Sequence, residues 1–213
     1  MITKIENAMV DRLARGLGNL CNTVKTYSGE LDDENLGTAR LPWVLVSFGG
    51  ANVERMGTSA KRHQSTATFV VLVAVNSLRS AVAGRQGGMD KREIGANQLI
   101  IAVRRLLDSQ TLGGLAKPLL PVKVRTVLNH AKVKAGRLTA YSIEYHAVFD
   151  DLPPLEDGIY PEKTDDKSSP DYIFNEYEGE TSEPVYIERI KGRIYDPSSA
   201  AEIGLSVNLE EKQ

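Results

Sequence analysis

Apolar residues recur at Ile5, Met9, Leu13, Leu17, Leu20 and Val24, in steps of four or three. That spacing marks one face of a helix, and Thr3 with Glu6 has the separation of a capping box. The chain is therefore predicted to open with a helix running to about Thr26, its apolar face packed on a sheet. Gly16 and Gly18 each cost such a helix about 1 kcal/mol relative to Ala, which points to a close approach by another backbone. After an acidic, turn-rich stretch over 28–40 the period changes. Pro42 opens a β-branched and aromatic run, 43–48, stopped by Gly49-Gly50 and read as the first strand. Residues 65–75 are almost continuously apolar, the character of a central strand covered on both faces. Asp90 and Glu93 repeat the capping-box spacing, and Ile94, Leu99, Val103, Leu106 and Leu107 supply the stripe of a second helix reaching about Ser109. Residues 119–133 and 137–149 read as an antiparallel pair joined near Ala135-Gly136. Within it Tyr141, Ile143, Tyr145, Ala147 and Phe149 alternate onto one face, leaving Ser142, Glu144 and His146 on the other, toward solvent or a partner.

The order helix, two strands, helix, two strands predicts an α+β fold, a mainly antiparallel sheet with two helices packed on one face. The predicted core spans residues 1–149. Residues 150–213 form an irregular extension, with a break at Pro153-Pro154, a linker-like stretch over 163–170 and a small hairpin over 185–195 turning about Lys191-Gly192.

Charge sharpens this division. The chain of 213 residues has a net charge of −2. Residues 1–149 carry 20 Lys and Arg against 11 Asp and Glu, giving +9, whereas residues 150–213 carry 6 against 17, giving −11. A basic body with an acidic extension suits complementary docking. Five of the eight tyrosines fall in the extension, and Tyr172, Phe174, Tyr177, Tyr186 and Tyr195 are the candidate partner-docking aromatics, since aromatics in an acidic segment suit ordering against a neighbour.

Hydrophobic residues at 41% and charged residues at 25% are ordinary globular composition. The longest apolar run, 69–75, falls far short of the roughly 20 residues of a membrane helix, and the N-terminus has no signal-like segment. No membrane partner is expected, and the protein is expected to stay in the cytoplasm of the cell that makes it. The single cysteine, Cys21, excludes an intrachain disulfide and reads as a buried structural thiol. His63, His130 and His146 lack the spacing of a zinc pair, and no carboxylate pair is placed for acid and base work. No catalytic residue, metal or cofactor is expected. Glycines over 84–88, ahead of the second helix, match neither phosphate-binding pattern and read as a loop.

Two basic loops remain. Arg55, Lys61, Arg62 and His63 precede the second strand, and Arg79, Arg85, Lys91 and Arg92 follow it. A strand separates them, so they do not form one patch in a monomer. In a ring they could face a bore or a neighbouring subunit, and without aromatics beside them any contact with DNA would be electrostatic and sequence-blind.

Several short stretches, in this order, resemble the Mu-like phage proteins encoded among tail genes: residues 1–8, 26–31, 41–46, Gly95-Ala96-Asn97-Gln98-Leu99 and Leu112-Gly113-Gly114-Leu115. The resemblance covers residues 1–150. It implies a non-enzymatic virion component, a tail terminator that closes into a homo-oligomeric, hexameric ring at the head-proximal end of the tail. Its implied partners are the tail tube protein, neck or connector proteins and the sheath where one exists, with non-specific DNA contact in the bore; its implied location is the virion tail, with the host cytoplasm during assembly. Two alternatives stay open: a neck or tail-completion protein contacting packaged DNA, and a nucleic-acid-processing enzyme, against which the missing acid–base and metal sets argue.

Overall fold

The computed structural model describes residues 1–29, 41–58, 61–76, 81–88, 93–127 and 138–182, and the backbone alone over 189–196 and 201–208. Helix α1, Ile2–Leu17, buries Ile5, Met9, Leu13 and Leu17, the predicted face. It stops well short of Thr26. Gly18 takes φ 48°, in the left-handed region that favours glycine, a 3₁₀ turn follows over Gly18–Leu20, and the chain re-emerges as strand β1, Thr23–Thr26. Leu20 and Val24 thus leave the helix yet still pack on the core. The Thr3–Glu6 box does not form, because the helix starts at Ile2 with Met1 as an uncapped N-cap and Thr3 already lies in the first turn.

The predicted first strand runs through its glycines. Strand β2 is Trp43–Arg55, and the register shift between Phe48 and Gly50 makes the Gly49-Gly50 pair a bulge instead of a stop. Strand β3, His63–Val75, lies between β2 and β5, Thr139–Asp150, antiparallel to both. Strand β4, Leu120–Thr126, flanks β5 antiparallel. Short β1 adds a parallel edge on Trp43–Val46, giving the order β1-β2-β3-β5-β4. The predicted junction near Ala135-Gly136 lies outside the described residues.

Register fixes the faces. Phe48, Phe69 and Tyr145 stand in one cross-strand row on the helix side, where Phe69, Val71, Val73, Ile143, Tyr145 and Ala147 are all fully buried; each large apolar side chain so buried is worth about 1.5–3 kcal/mol. The expected cover on both faces of β3 is only partial. On the second face Thr66, Thr68, Val70 and Leu72 are half-buried, and a small cluster closes one end alone, Ala74, Leu138 and Ala140 beneath Tyr27, Leu41, Trp43, Leu72 and Val127.

Helices α2, Ala81–Gln86, and α3, Ala96–Leu107, lie on the covered side. The short α2 has no counterpart in the sequence reading. Helix α3 starts later than the spacing of Asp90 and Glu93 predicts: its N-cap is Gly95, whose N–H donates to Gln98 Oε1 at 3.0 Å, while Glu93 precedes the helix and Asp90 is outside the described residues. Leu99, Val103 and Leu107 are buried as predicted. Helices α1 and α3 lie side by side: Arg12 Nε donates to the Leu106 carbonyl at 2.6 Å, and a Cβ on Gly16 would stand 2.5 Å from Leu106 Cδ2. The close approach at Gly16 is thus made by a side chain.

The chain divides into two compact units, Met1–Pro153 and Pro154–Gln213. In the second, the stretch read as linker is held by local bonds: Ser182 N–H donates to the Pro161 carbonyl at 2.9 Å, Lys163 N–H to the Ser182 carbonyl at 3.0 Å, and Ser168 to the Asp166 carboxylate, which is held below the usual carboxylate range by those bonds. Helix α4 is Tyr172–Glu176. A hairpin does form, but of β6, Arg189–Asp196, and β7, Ala201–Asn208. Lys191 and Gly192 lie inside β6, paired with Ser206 and Leu205, so the predicted turn is a strand interior.

Candidate functional site

Polar groups that reach the core serve structure. The Tyr145 hydroxyl, fully buried, donates to Asp108 Oδ1 at 2.9 Å, and Asp108 Oδ2 accepts from Arg104 Nη2 at 2.8 Å and Nε at 3.1 Å. Burial, then the Asp108 bond, pushes ionisation of Tyr145 well above its ordinary range, so the phenol stays protonated and is no general base near neutral pH. Cys21 is buried, with Sγ 3.1 Å from the Thr23 carbonyl and 3.2 Å from that of Pro42; burial pushes its thiol up, away from the reactive thiolate. Among the described residues no group of His, Cys, Asp and Glu could hold a metal ion, and no helix is long and apolar enough to cross a membrane. The glycines over 84–88 spend their donors internally: Gly87 N–H bonds the Ala83 carbonyl at 2.8 Å and Gly88 N–H that of Glu93 at 2.9 Å, which leaves neither free to hold an anion.

The basic residues fall at separate places. Arg55 ends β2, with Nη2 donating to the Thr58 carbonyl, and Lys61 and Arg62 are exposed just before β3. Arg85 is exposed in α2, beyond the far end of β3. The intervening strand has 13 residues, roughly 40 Å at the usual rise, so the chain entering β3 at Arg62 and the chain leaving it after Val75 stand at opposite ends of that strand. Arg79, Lys91 and Arg92 lie outside the described residues. Of the candidate aromatics, Tyr172 is half-buried, Phe174 is 43% exposed and Tyr177 is 77% exposed; Tyr195 lies in β6, and Tyr186 is outside the described residues.

The sequence reading missed the sheet edges. Strand β1 covers β2 only over Trp43–Val46, extended by a bond from Tyr27 N–H to the Val46 carbonyl at 2.7 Å. Beyond it, among the described residues, no strand pairs with that side of 48–54. Val53 there is 61% exposed and Phe48 36%. Strand β4 forms the opposite edge, with Leu120, Val122 and Val124 exposed by 60%, 46% and 43%. Arg125 Nη2 lies 3.3 Å from Glu144 Oε1 on the second face. A signal did exist: Pro121 lacks the N–H a central strand must donate, which marks β4 as an edge.

The family model described as "Bacteriophage Mu, Gp37" matches residues 1–150, which span the whole five-stranded sheet and α1–α3. Comparison with curated proteins gives no match.

Proposed function

We propose that this chain, which belongs to the bacteriophage Mu Gp37 family and is thereby a Mu-like phage structural protein, is a tail terminator that closes as a ring on the head-proximal end of the tail tube and joins it to the neck. The observation that carries this reading is the family match over the whole sheet-and-helix unit, residues 1–150. Two features support it. The buried side chains of Cys21, Ser65 and Tyr145 are engaged in structural bonds, as a scaffold requires, and the sheet presents apolar residues at both edges, as an assembling subunit requires.

The test is a phage carrying a stop codon in place of this chain, with tails imaged after infection. A terminator leaves tubes of uncontrolled length without heads, and restored chain labels the head-proximal end of normal tails. Normal-length tails in its absence would sink the reading. A second reading, a neck protein against packaged DNA, is favoured by the exposed Lys61 and Arg62 at one end of the sheet. It predicts the label on tail-free heads.

A further inference from the structure

Among the described residues two edges of the sheet are left uncovered, and they match one another. We propose that the β2 edge over residues 48–54 pairs antiparallel with β4 of the next copy, so that a ring of this chain is held by one continuous sheet. The proposal rests on the ring reading above and names the surface that closes it.

Direction, length and chemistry agree. Strand β3 is antiparallel to β2, β5 to β3, and β4 to β5, so β2 and β4 of one chain run in opposite senses. A cyclic rotation preserves each strand's sense along the ring axis, so it brings β2 of one copy against β4 of the next as an antiparallel pair. Beyond Val46, β2 runs on for nine residues, 47–55, and β4 has seven, so there is length for the pairing.

The faces correspond as well. On the helix side, Val53 of β2 shares the face of buried Phe149, while Val124 of β4 shares that of Ile143; both are exposed apolar residues that the pairing would bury. On the second face, Glu54 lies in the row of Gln64 and Asp150, and Lys123 pairs with Glu144, so an acidic group meets a basic one. A two-fold pairing of β4 with itself would instead set Lys123 and Arg125 against their own copies, and it would leave β2 open. The head-to-tail contact covers both edges of every copy, and it closes when the rotation closes.

The edges are also staggered as a closed sheet needs. Through β5 and β3, β4 stands level with residues 44–50 of β2, whereas the open stretch lies at 48–54. Strands that join edge to edge with such an offset tilt against the ring axis, the condition for closing a sheet on itself.

Thiols placed at the two edges test this. Val53→Cys and Val124→Cys chains are made separately, with wild type as the blank because its single cysteine is buried, and tails assembled with each chain or with both are treated with a short bismaleimide. The expected result is a dimer band from the mixed tails and from the double variant, where it extends into a ladder, with neither single variant dimerising. Rings that form without the mixed crosslink, or with a single variant crosslinking to itself, overturn the pairing while leaving the ring reading intact. Absence of rings on wild-type tubes overturns both. As a second arm, Val53→Lys and Val124→Glu should each reduce incorporation into tails at least tenfold, and the two together in one chain should restore it. No recovery in the double variant, with all three chains folded by circular dichroism, also overturns the pairing.

Discussion

The Tyr145 hydroxyl crosses from the sheet to the end of α3, where it donates to Asp108 Oδ1 at 2.9 Å. Hydrogen bonds to charged groups contribute about 1.5–3 kcal/mol. Tyr145→Phe should therefore lower the unfolding free energy by about that amount in urea titration, and Asp108→Ala should cost about 1–3 kcal/mol by stranding a buried hydroxyl. Arg104, a largely exposed partner of Asp108, is different: Arg104→Gln should change stability by less than about 1 kcal/mol. Equal losses in all three would show that the network acts as one unit through Arg104.

The same contact sets an alkaline limit. The folded chain disfavours ionisation of Tyr145, whereas an unfolded tyrosine ionises near pH 10. Above that pH the unfolded chain binds fewer protons than the folded one, so stability that is full below about pH 10 falls by up to about 1.4 kcal/mol per pH unit. Cys21, also raised, adds a decline that begins near the ordinary thiol range, about pH 8.5. Cys21→Ala should remove the earlier part of the slope and Tyr145→Phe the later part. A wild-type stability flat from pH 8 to 11 would refute both.

Gly16 and Leu106 make a second coupled pair. Alanine at a helix interior gains about 1 kcal/mol over glycine, but here its Cβ would meet Leu106 at 2.5 Å. Gly16→Ala should therefore be neutral or destabilising in the wild-type background and stabilising by about 1 kcal/mol once Leu106→Ala opens the space. Additive effects in the double-mutant cycle would mean that the two residues do not touch.

These pairs show what the linear chain reveals. Single faces are legible, because Ile5, Met9, Leu13 and Leu17 or Ile143, Tyr145, Ala147 and Phe149 recur at the period of their element. Boundaries are less so. Val24 continues the helical spacing, yet a left-handed Gly18 ends the helix first, and Gly49-Gly50 reads as a stop although pairing to β3 carries β2 across it as a bulge. The open edges were illegible because an edge is defined by what fails to pair. The apolar pattern of Val53 or Val124 is that of any strand, and only the strand order exposes it.

The basic residues carry a separate expectation. Lys61 and Arg62 are exposed together at one end of the sheet, in a stretch, 49–68, whose sequence has no Phe, Trp or Tyr for stacking. Isolated protein should bind duplex DNA weakly, without sequence preference, and lose that binding steeply as salt rises from about 50 to 200 mM. Lys61→Glu with Arg62→Glu should abolish it and leave folding unchanged. Fluorescence anisotropy with two unrelated duplexes measures this; a sequence preference that survives high salt would revive the enzyme reading.

The extension after the sheet can be removed at two places with different consequences. Gln64 Nε2 donates to Asp150 Oδ1 at 2.7 Å, the Ser65 hydroxyl donates to the Asp151 carboxylate at 2.7–2.8 Å, and Asp151 N–H donates to the His63 carbonyl at 3.0 Å. Ser65 is buried at 4% exposure. A chain ending at Phe149 strands that hydroxyl and should lose about 1–3 kcal/mol, whereas a chain ending at Pro153 keeps all three bonds and should match the stability of the sheet unit. If the acidic extension docks on another subunit or tail protein, both truncations should fold yet enter tails poorly. Attraction between its charge and the basic body is screened beyond about 8 Å at physiological salt, so exposed Phe174 and Tyr177 should supply the lasting contact. Phe174→Ser with Tyr177→Ser in the full chain should then reproduce the assembly defect without any loss of stability. Normal incorporation of the chain ending at Pro153 would remove the docking role altogether.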